Sequence, residues 1–365
     1  MERKLKVAVA CGGTGGHAFP GLAVAETLSK RGHDVVVWDS GRDIESSVMR
    51  SWKGSVFSTG ARQLSLKNLP SIWFSLLRCR KEIKRSRPDV MIAMGSYSSL
   101  PPVLAARVEG VPVVMHEANT IPGRAVDFLA RYAKVVAISF EGTAKLLKGT
   151  KTVRTGLPVR NTIASGKRFG FIPEDAFVVF VTGGSQGAHM VNCIASEAIV
   201  IVKNELERRP QPKGRSLYVI HQTGVKDEPS VTETYVANSI PARVRGFETE
   251  MADAFASADL VIARAGASTC FELAACGKPA MLIPLPSAMR DHQHFNADEF
   301  AAKGAADEGI QDNLAPHQLA RYILDKMDNP GKLAQMAAKM KELSVPDAAE
   351  RVADLVEKAA AGDFK

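Results

Sequence analysis

The sequence predicts an α/β protein made of two parallel-sheet domains, and three observations carry that expectation. Short β-branched runs alternate with longer helical patterns along all 365 residues, as βαβ units require. The alternation breaks at an irregular, basic, glycine-bearing stretch, residues 154–170, and then restarts. Each half also opens in the same way, with a strand running into a glycine loop and then a helix. One Rossmann-like unit used twice, with a hinge near residues 154–170, satisfies all three.

Candidate strands of the first half are residues 5–11, 34–38, 90–94, 111–116 and 135–138. Those of the second half are 177–182, 217–221, 259–263 and 280–285. The first domain is expected over residues 1–160, joined by a C-terminal helix within 345–365 that crosses back to it. The second is expected over residues 161–344. Ligands of such sheets bind at the carboxyl ends of the strands, so two sheets facing each other would place the ligands in a central cleft.

Composition narrows the class. Hydrophobic residues make up 45% and charged residues 24%, the usual mix for a folded globular chain. The five cysteines, Cys11, Cys79, Cys193, Cys270 and Cys276, are odd in number and form no C-x-x-C pair. That argues against a disulfide framework and a zinc site, and for a reducing compartment. The charged N-terminus leads into an apolar run that stops at Gly12 and Gly13, so it reads as a first strand and not a signal peptide. No stretch of 18 apolar residues is present to span a bilayer, and a cytoplasmic protein is expected. The net charge is +8, and six basic residues against Glu82 between Arg78 and Arg87 account for +5 of it.

The glycine loops are Gly12-Gly13-Thr14-Gly15-Gly16-His17 and Gly183-Gly184-Ser185-Gln186-Gly187-Ala188. A helix N-terminus presents unpaired N–H groups and about half a positive charge. Glycine lets a diphosphate approach those groups closely. Two such loops suit a reaction with a diphosphate on each substrate. The first fits a dinucleotide fingerprint loosely, with Asp39 where a ribose-binding acid belongs. A hydride-transfer enzyme, however, has no use for the second loop. No P-loop pattern is present. His17, at a loop-to-helix junction, is placed for a neutral imidazole to take a proton from a sugar hydroxyl.

Gly12–His17 with Phe19-Pro20-Gly21 resembles the opening motif of the MurG family of glycosyltransferases. The resemblance continues through His116-Glu117-Ala118-Asn119, Gly156-Leu157-Pro158-Val159-Arg160 and the second glycine loop. It then covers Arg264-Ala265-Gly266-Ala267-Ser268-Thr269 with Glu272, and Asp291-His292-Gln293 with Asn296-Ala297. It implies the GT-B architecture and an inverting transfer of GlcNAc from UDP-GlcNAc to the C4 hydroxyl of MurNAc in undecaprenyl-diphospho-MurNAc-pentapeptide (lipid I). The product would be lipid II, for peptidoglycan synthesis, cell shape and division.

The same resemblance implies roles. His17 would be the base or orient the acceptor hydroxyl, and Gly13, Thr14, Gly15 and Gly16 would cradle the acceptor diphosphate. Thr14, Gly15, Asn119, Arg160, Ser185, Gln186, Phe247, Ala267, Ser268, Glu272 and Gln293 would serve the donor. Among these, Phe247 would pack on uracil, Glu272 would bind ribose hydroxyls and Gln293 would read the sugar. No cofactor is expected: no D-x-D pair is present to hold a metal, and a helix dipole would stabilise the leaving group. Ala118 stands where the family pattern has glutamine and Ala265 where it has serine. Each loses a hydrogen bond worth roughly 0.5–1.5 kcal/mol.

Residues 71–87 read as a helix with two apolar faces. Ile72, Leu76, Cys79 and Ile83 form one stripe toward the core. Trp73, Phe74 and Leu77 point elsewhere, with Arg80, Lys81 and Lys84 one to two turns on. An apolar tip with a cationic collar suits shallow insertion into an anionic leaflet. Together with Ile72, these residues form the expected membrane patch. A peripheral position on the cytoplasmic face of the bacterial inner membrane follows, beside other cell-wall proteins. No motif for nucleic acid accompanies the charge. The alternatives are another GT-B enzyme on UDP-GlcNAc, with a different acceptor or as a 2-epimerase, a non-enzymatic scaffold on the same fold, and the dehydrogenase.

Overall fold

A computed structural model describes residues 3–13, 15–41, 52–62, 68–160, 162–209 and 216–364. The chain divides into two compact units, one of Met1–Arg160 with Val345–Lys365 and one of Asn161–Ser344.

The first unit holds a parallel sheet of seven strands among the described residues: β1 (Lys6–Ala10), β2 (Asp34–Asp39), β3 (Ser55–Ser58), β4 (Val90–Ala93), β5 (Val113–Glu117), β6 (Val135–Ile138) and β7 (Thr152–Arg154). Their order is β3-β2-β1-β4-β5-β6-β7. Among the described residues the second unit holds six: β8 (Phe177–Thr182), β9 (Leu217–Gln222), β10 (Ala242–Arg245), β11 (Leu260–Arg264), β12 (Ala280–Ile283) and β13 (Ala306–Glu308). Their order, β10-β9-β8-β11-β12-β13, repeats the first six positions of the other sheet. Every pairing is parallel. The strand order reverses beside β1 and again beside β8, so each unit has a switch point where a ligand crevice forms.

Both faces of the first sheet are covered. Val7 and Val9 of β1 pack with Leu22, Val24 and Leu28 of the helix Gly15–Lys30 and with Val352 and Val356 of the last helix. Ala8 and Ala10 pack on the other face with Cys79, Ile83 and Met91. The last helix, Ala348–Ala361, lies on Gly15–Lys30. Arg31 bonds Asp354 at 2.7 Å and Glu357 at 2.8 Å, and His33 Nε2 meets Glu357 at 2.9 Å. Part-exposed pairs of this kind contribute about 0–1 kcal/mol each. Burying each valine contributes roughly 1.5–3 kcal/mol. The apolar stripe therefore holds the helix, and the ion pairs set its register.

Four strands go beyond the expected set, and all four are sheet edges: β3, β7, β10 and β13. They are three or four residues long and none has a fully buried face. The basic helix runs over Leu69–Ser86. Cys79 and Ile83 are buried, while Ile72 is half-buried, so it belongs to the packed side of the patch more than to its tip. Trp73, Phe74 and Leu77 are 59%, 68% and 39% exposed. Within the cationic collar, Arg80 is ion-paired. Its Nε donates to Glu109 at 2.7 Å, and Lys84 lies 3.9 Å from the same carboxylate.

Candidate active site

In the first unit the loop after β1 is shaped by its neighbours. Gly13 has φ of +123°, and a Cβ there would run into the Ser96 hydroxyl. Ser98 Oγ donates to the Gly12 carbonyl at 2.5 Å, and Ser99 Oγ donates to the Gly95 carbonyl. Thr14 lies outside the described residues. Gly15, Gly16 and His17 open the helix Gly15–Lys30, so their N–H groups belong to its first turn. The His17 ring is half-buried and faces Gly95: a Cβ on that glycine would sit 3.6 Å from His17 Cδ2.

Behind His17 lies His116, fully buried at the end of β5, with Nε2 donating to the Gly156 carbonyl at 3.1 Å. Burial, with the His17 charge adding to it, lowers the His116 pKa to about 4. His116 is therefore neutral at pH 7. Its neighbour Glu117 is buried too, and burial raises its carboxyl above the usual range. Glu117 Oε1 accepts from the Asn119 backbone N–H at 2.8 Å and from Asn119 Nδ2 at 3.1 Å, and Oε2 accepts from Gly123 N–H at 2.9 Å. The Thr143 hydroxyl ties down the same loop through the Thr120 carbonyl at 2.9 Å. Asn119 is therefore presented by a fixed turn. The Arg160 guanidinium stands over the Phe19 ring, 4.6 Å from its centre.

Ser96 is held at φ +70° and ψ 161°, a region that only glycine adopts readily and that costs other residues about 1–3 kcal/mol. Replacing Ser96 with glycine should therefore raise the melting temperature by roughly 2–4 °C. Calorimetry checks it, and an unchanged or lower transition contradicts it.

In the second unit the loop after β8 is held from below. Gly184 N–H donates to Thr182 Oγ1 at 3.1 Å, and Gln222 Nε2 donates to the Gly184 carbonyl at 2.7 Å. Gly187, at φ +74°, lies so close to the Thr223 carbonyl that a Cβ would overlap it. Thr223 is pinned by Asn192, whose Nδ2 donates to its carbonyl at 2.7 Å. Asn192 Oδ1 meets His221 Nε2 at 3.1 Å, and His221 Nδ1 meets the Tyr235 hydroxyl at 2.9 Å. All three are buried, and burial lowers the His221 pKa to about 3. This is a neutral network beneath the loop. Ser185 and Gln186 are exposed at its tip, ahead of the helix His189–Arg208.

The remaining residues expected on the donor side follow β10, β11 and β12, all at the same carboxyl edge. Phe247 is 44% exposed. It is braced by Glu248, which accepts from Arg243 Nε at 2.8 Å and from Glu250 N–H at 2.8 Å. Burial pushes the Glu248 carboxyl up, but the Arg243 bonds outweigh it and leave it below the usual range. Ala267 and Ser268 form the first turn of the helix Ala267–Cys276, and Glu272 is buried one turn further on. Arg264 ties β11 to the loop after β12 through the Pro284 carbonyl at 2.9 Å and to Gln311 Oε1 at 2.5 Å. Gln293 Oε1 accepts from Leu285 N–H at 3.0 Å, which leaves its amide hydrogens as the groups offered to a ligand. Asn296 Nδ2 holds the Ala265 carbonyl at 3.2 Å.

The residues thus gather into one set per unit. In the first, Gly13, Gly15, Gly16 and His17 follow β1, Asn119 follows β5 and Arg160 follows β7, all after the carboxyl ends of strands of the first sheet. The second set is Ser185, Gln186, Phe247, Ala267, Ser268, Glu272 and Gln293. Reading the sequence missed the residues that hold these loops, namely Ser98, Glu117, Asn192, Gln222 and Arg264. Among the described residues, no group of three or more His, Cys, Asp or Glu side chains is arranged to hold a metal ion.

Comparison with known proteins gives this geometry its family. Residues 7–138 match the glycosyltransferase family 28 N-terminal domain, and residues 178–352 match the family 28 C-terminal domain. The chain is 30% identical to the MurG of Acinetobacter baumannii, whose crystal structure superimposes with a TM-score of 0.76 over 98% of this chain and 100% of that one. The chain belongs to the MurG family. Among its relatives is a Geobacter metallireducens protein, 36% identical over 96% of this chain and 97% of its own length. Another, from Sinorhizobium medicae, is 37% identical over 98% and 96%. Both are UDP-N-acetylglucosamine–N-acetylmuramyl-(pentapeptide) pyrophosphoryl-undecaprenol N-acetylglucosamine transferases. A putative UDP-N-acetylglucosamine 2-epimerase of Listeria monocytogenes superimposes with a TM-score of 0.73 at 14% identity, a likeness of fold alone. The fold class is thus GT-B, with a Rossmann-like sheet in each unit.

Proposed function

We propose that the chain transfers GlcNAc from UDP-GlcNAc to the C4 hydroxyl of MurNAc in lipid I, with inversion and without a metal. The observation that carries this is His17 at the close of the first glycine loop, in the first turn of the helix Gly15–Lys30, in a chain that matches such transferases over nearly its whole length. His17 takes the hydroxyl proton as the acceptor oxygen attacks C1 of GlcNAc. The bond from C1 to the UDP oxygen breaks, and UDP leaves with the electron pair. The first glycine loop serves the acceptor diphosphate, and Asn119 and Arg160 serve the donor. On the second unit, Ser185, Gln186 and the N–H groups at the head of His189–Arg208 take the growing charge on UDP. Phe247 covers uracil, Glu272 binds ribose, Ala267 and Ser268 add helix N–H groups, and Gln293 donates to the sugar.

Incubation of UDP-GlcNAc with the protein, with and without acceptor, tests this. UDP should be released only when the lipid-linked acceptor is present. Acceptor-free conversion of UDP-GlcNAc to its 2-epimer would instead favour the epimerase reading.

A lipid-linked acceptor also gives the exposed apolar tip of Leu69–Ser86 a use. Among the described residues, no helix is long and apolar enough to cross a membrane, and the reading is peripheral attachment to an anionic inner leaflet. Trp73 and Phe74 enter the interface, with Lys81 and Lys84 against the headgroups and Arg80 reduced by its Glu109 pair. The double substitution Trp73→Glu and Phe74→Glu should lower binding to anionic vesicles by about tenfold or more. Turnover on a short-chain soluble acceptor should stay near wild type. Unchanged sedimentation with vesicles would remove the patch from the account.

A further inference from the structure

Outside the two loops, the described residues include a cluster of nucleophilic and titratable side chains that the transfer reaction does not use. His189 and Cys193 lie in the first turns of the helix His189–Arg208, and Asp227, just before the helix Glu228–Ala237, reaches His189. His189 Nδ1 is 3.1 Å from both oxygens of Asp227. A carboxylate only accepts, so in the neutral ring Nδ1 carries the proton and Nε2 the lone pair. That nitrogen lies 3.6 Å from Cys193 Sγ. Asp227 is itself fixed by Asn192 Nδ2 at 2.7 Å. A nucleophile, a base within reach of it and an acid orienting the base form the arrangement that activates a thiol by taking its proton during attack.

The other four cysteines differ. Cys11, Cys79 and Cys270 are buried, and burial pushes the thiols of Cys79 and Cys270 up to about 12. Cys276 is half-buried, and its S–H donates to the Ile163 carbonyl at 3.3 Å. Cys193 is half-buried like Cys276, but its sulfur has His189 Nε2 beside it where Cys276 has a carbonyl. Burial, with Asp227 and Glu197 adding to it, raises the Cys193 thiol, so the resting group is S–H and its reactivity depends on a base.

We propose that Cys193 is a hydroperoxide-reactive site, oxidised with His189 as the base. The sulfur attacks one peroxide oxygen, and the S–O bond forms as the O–O bond breaks. The thiol proton passes through His189 Nε2 to the departing oxygen. The products are a cysteine sulfenic acid and water or an alcohol. Sulfur loses two electrons and the peroxide gains them. The site stands at the head of the helix that follows the second glycine loop, on side chains that the transfer reaction does not use.

The test uses the full chain with hydrogen peroxide at neutral pH, sulfenic acid trapped by dimedone and peptides quantified by mass spectrometry. Cys193 should be labelled about tenfold or more faster than Cys276, and His189→Ala should lower the Cys193 rate by about tenfold or more. The Cys276 rate should not move. The His189 side chain is 72% exposed, so the variant keeps the fold, and the Cys276 rate serves as an internal check on that. Labelling of Cys193 at the Cys276 rate would overturn the proposal. So would Cys193 labelling that His189→Ala leaves unchanged.

Discussion

Replacing His17 with alanine should lower kcat by about 10²–10⁴-fold, the range for loss of a positioned general base, while UDP affinity stays within about twofold. The reason is local. His17 belongs to the first unit, with Gly95 beside its ring. The loop Gly183–Ala188, proposed to hold UDP, is built by Thr182, Gln222 and Thr223 of the second. Removing the imidazole therefore deletes the proton acceptor and leaves the loop that holds the leaving group intact. Steady-state kinetics with a short-chain acceptor, together with calorimetric titration of UDP, separates the two effects. Full turnover in the variant would take the base out of the mechanism.

Replacing Gly187 with alanine should weaken UDP binding by about 100-fold, equivalent to about 2.7 kcal/mol. The new methyl would overlap the Thr223 carbonyl, whose carbon lies 2.6 Å from the Cβ position. That carbonyl cannot retreat cheaply, because Asn192 holds it at 2.7 Å and Thr223 N–H bonds Arg245 at 2.9 Å. The loop must move instead, taking its N–H groups with it. Gly184 supplies the control. It has φ of +82° but faces open space, so Gly184→Ala costs only left-handed strain, about 1–2 kcal/mol of stability. Its UDP affinity should fall much less. Equal affinities in the two variants would mean that loop shape does not govern nucleotide binding.

Much of this architecture was legible in the residues, and the parts that were not share a physical cause. The inner strands announced themselves as β-branched runs because both of their faces are buried. The strands β3, β7, β10 and β13 gave no such signal. As edge strands they are short and half-exposed, so Arg-Val-Arg in β10 or Ala-Asp-Glu in β13 reads as loop. The glycine loops were visible because backbone geometry restricts the residue type at positions such as Gly13 and Gly187. The side chains that hold those loops were not. Gln222 reaches Gly184 across 38 positions, and Asn192 reaches Thr223 across 31. Nothing local in the sequence marks such pairs. Glu117 was the exception within reach, since it adjoins Asn119 in a recognised motif and bonds it directly. The Arg80 pair with Glu109 was hidden for the same reason as Gln222: its partner lies 29 positions away.

The central claim is a metal-free transfer of GlcNAc to a lipid-linked muramoyl sugar. The measurement that tests it most directly is product formation from UDP-GlcNAc and a short-chain lipid I analogue in the presence of EDTA, read by mass spectrometry with UDP quantified alongside. The account predicts a disaccharide-linked product, one UDP for each disaccharide, and an inverted anomeric centre by NMR. UDP binding without any disaccharide would contradict the acceptor assignment, and a product that forms only when a divalent ion is restored would contradict the metal-free mechanism.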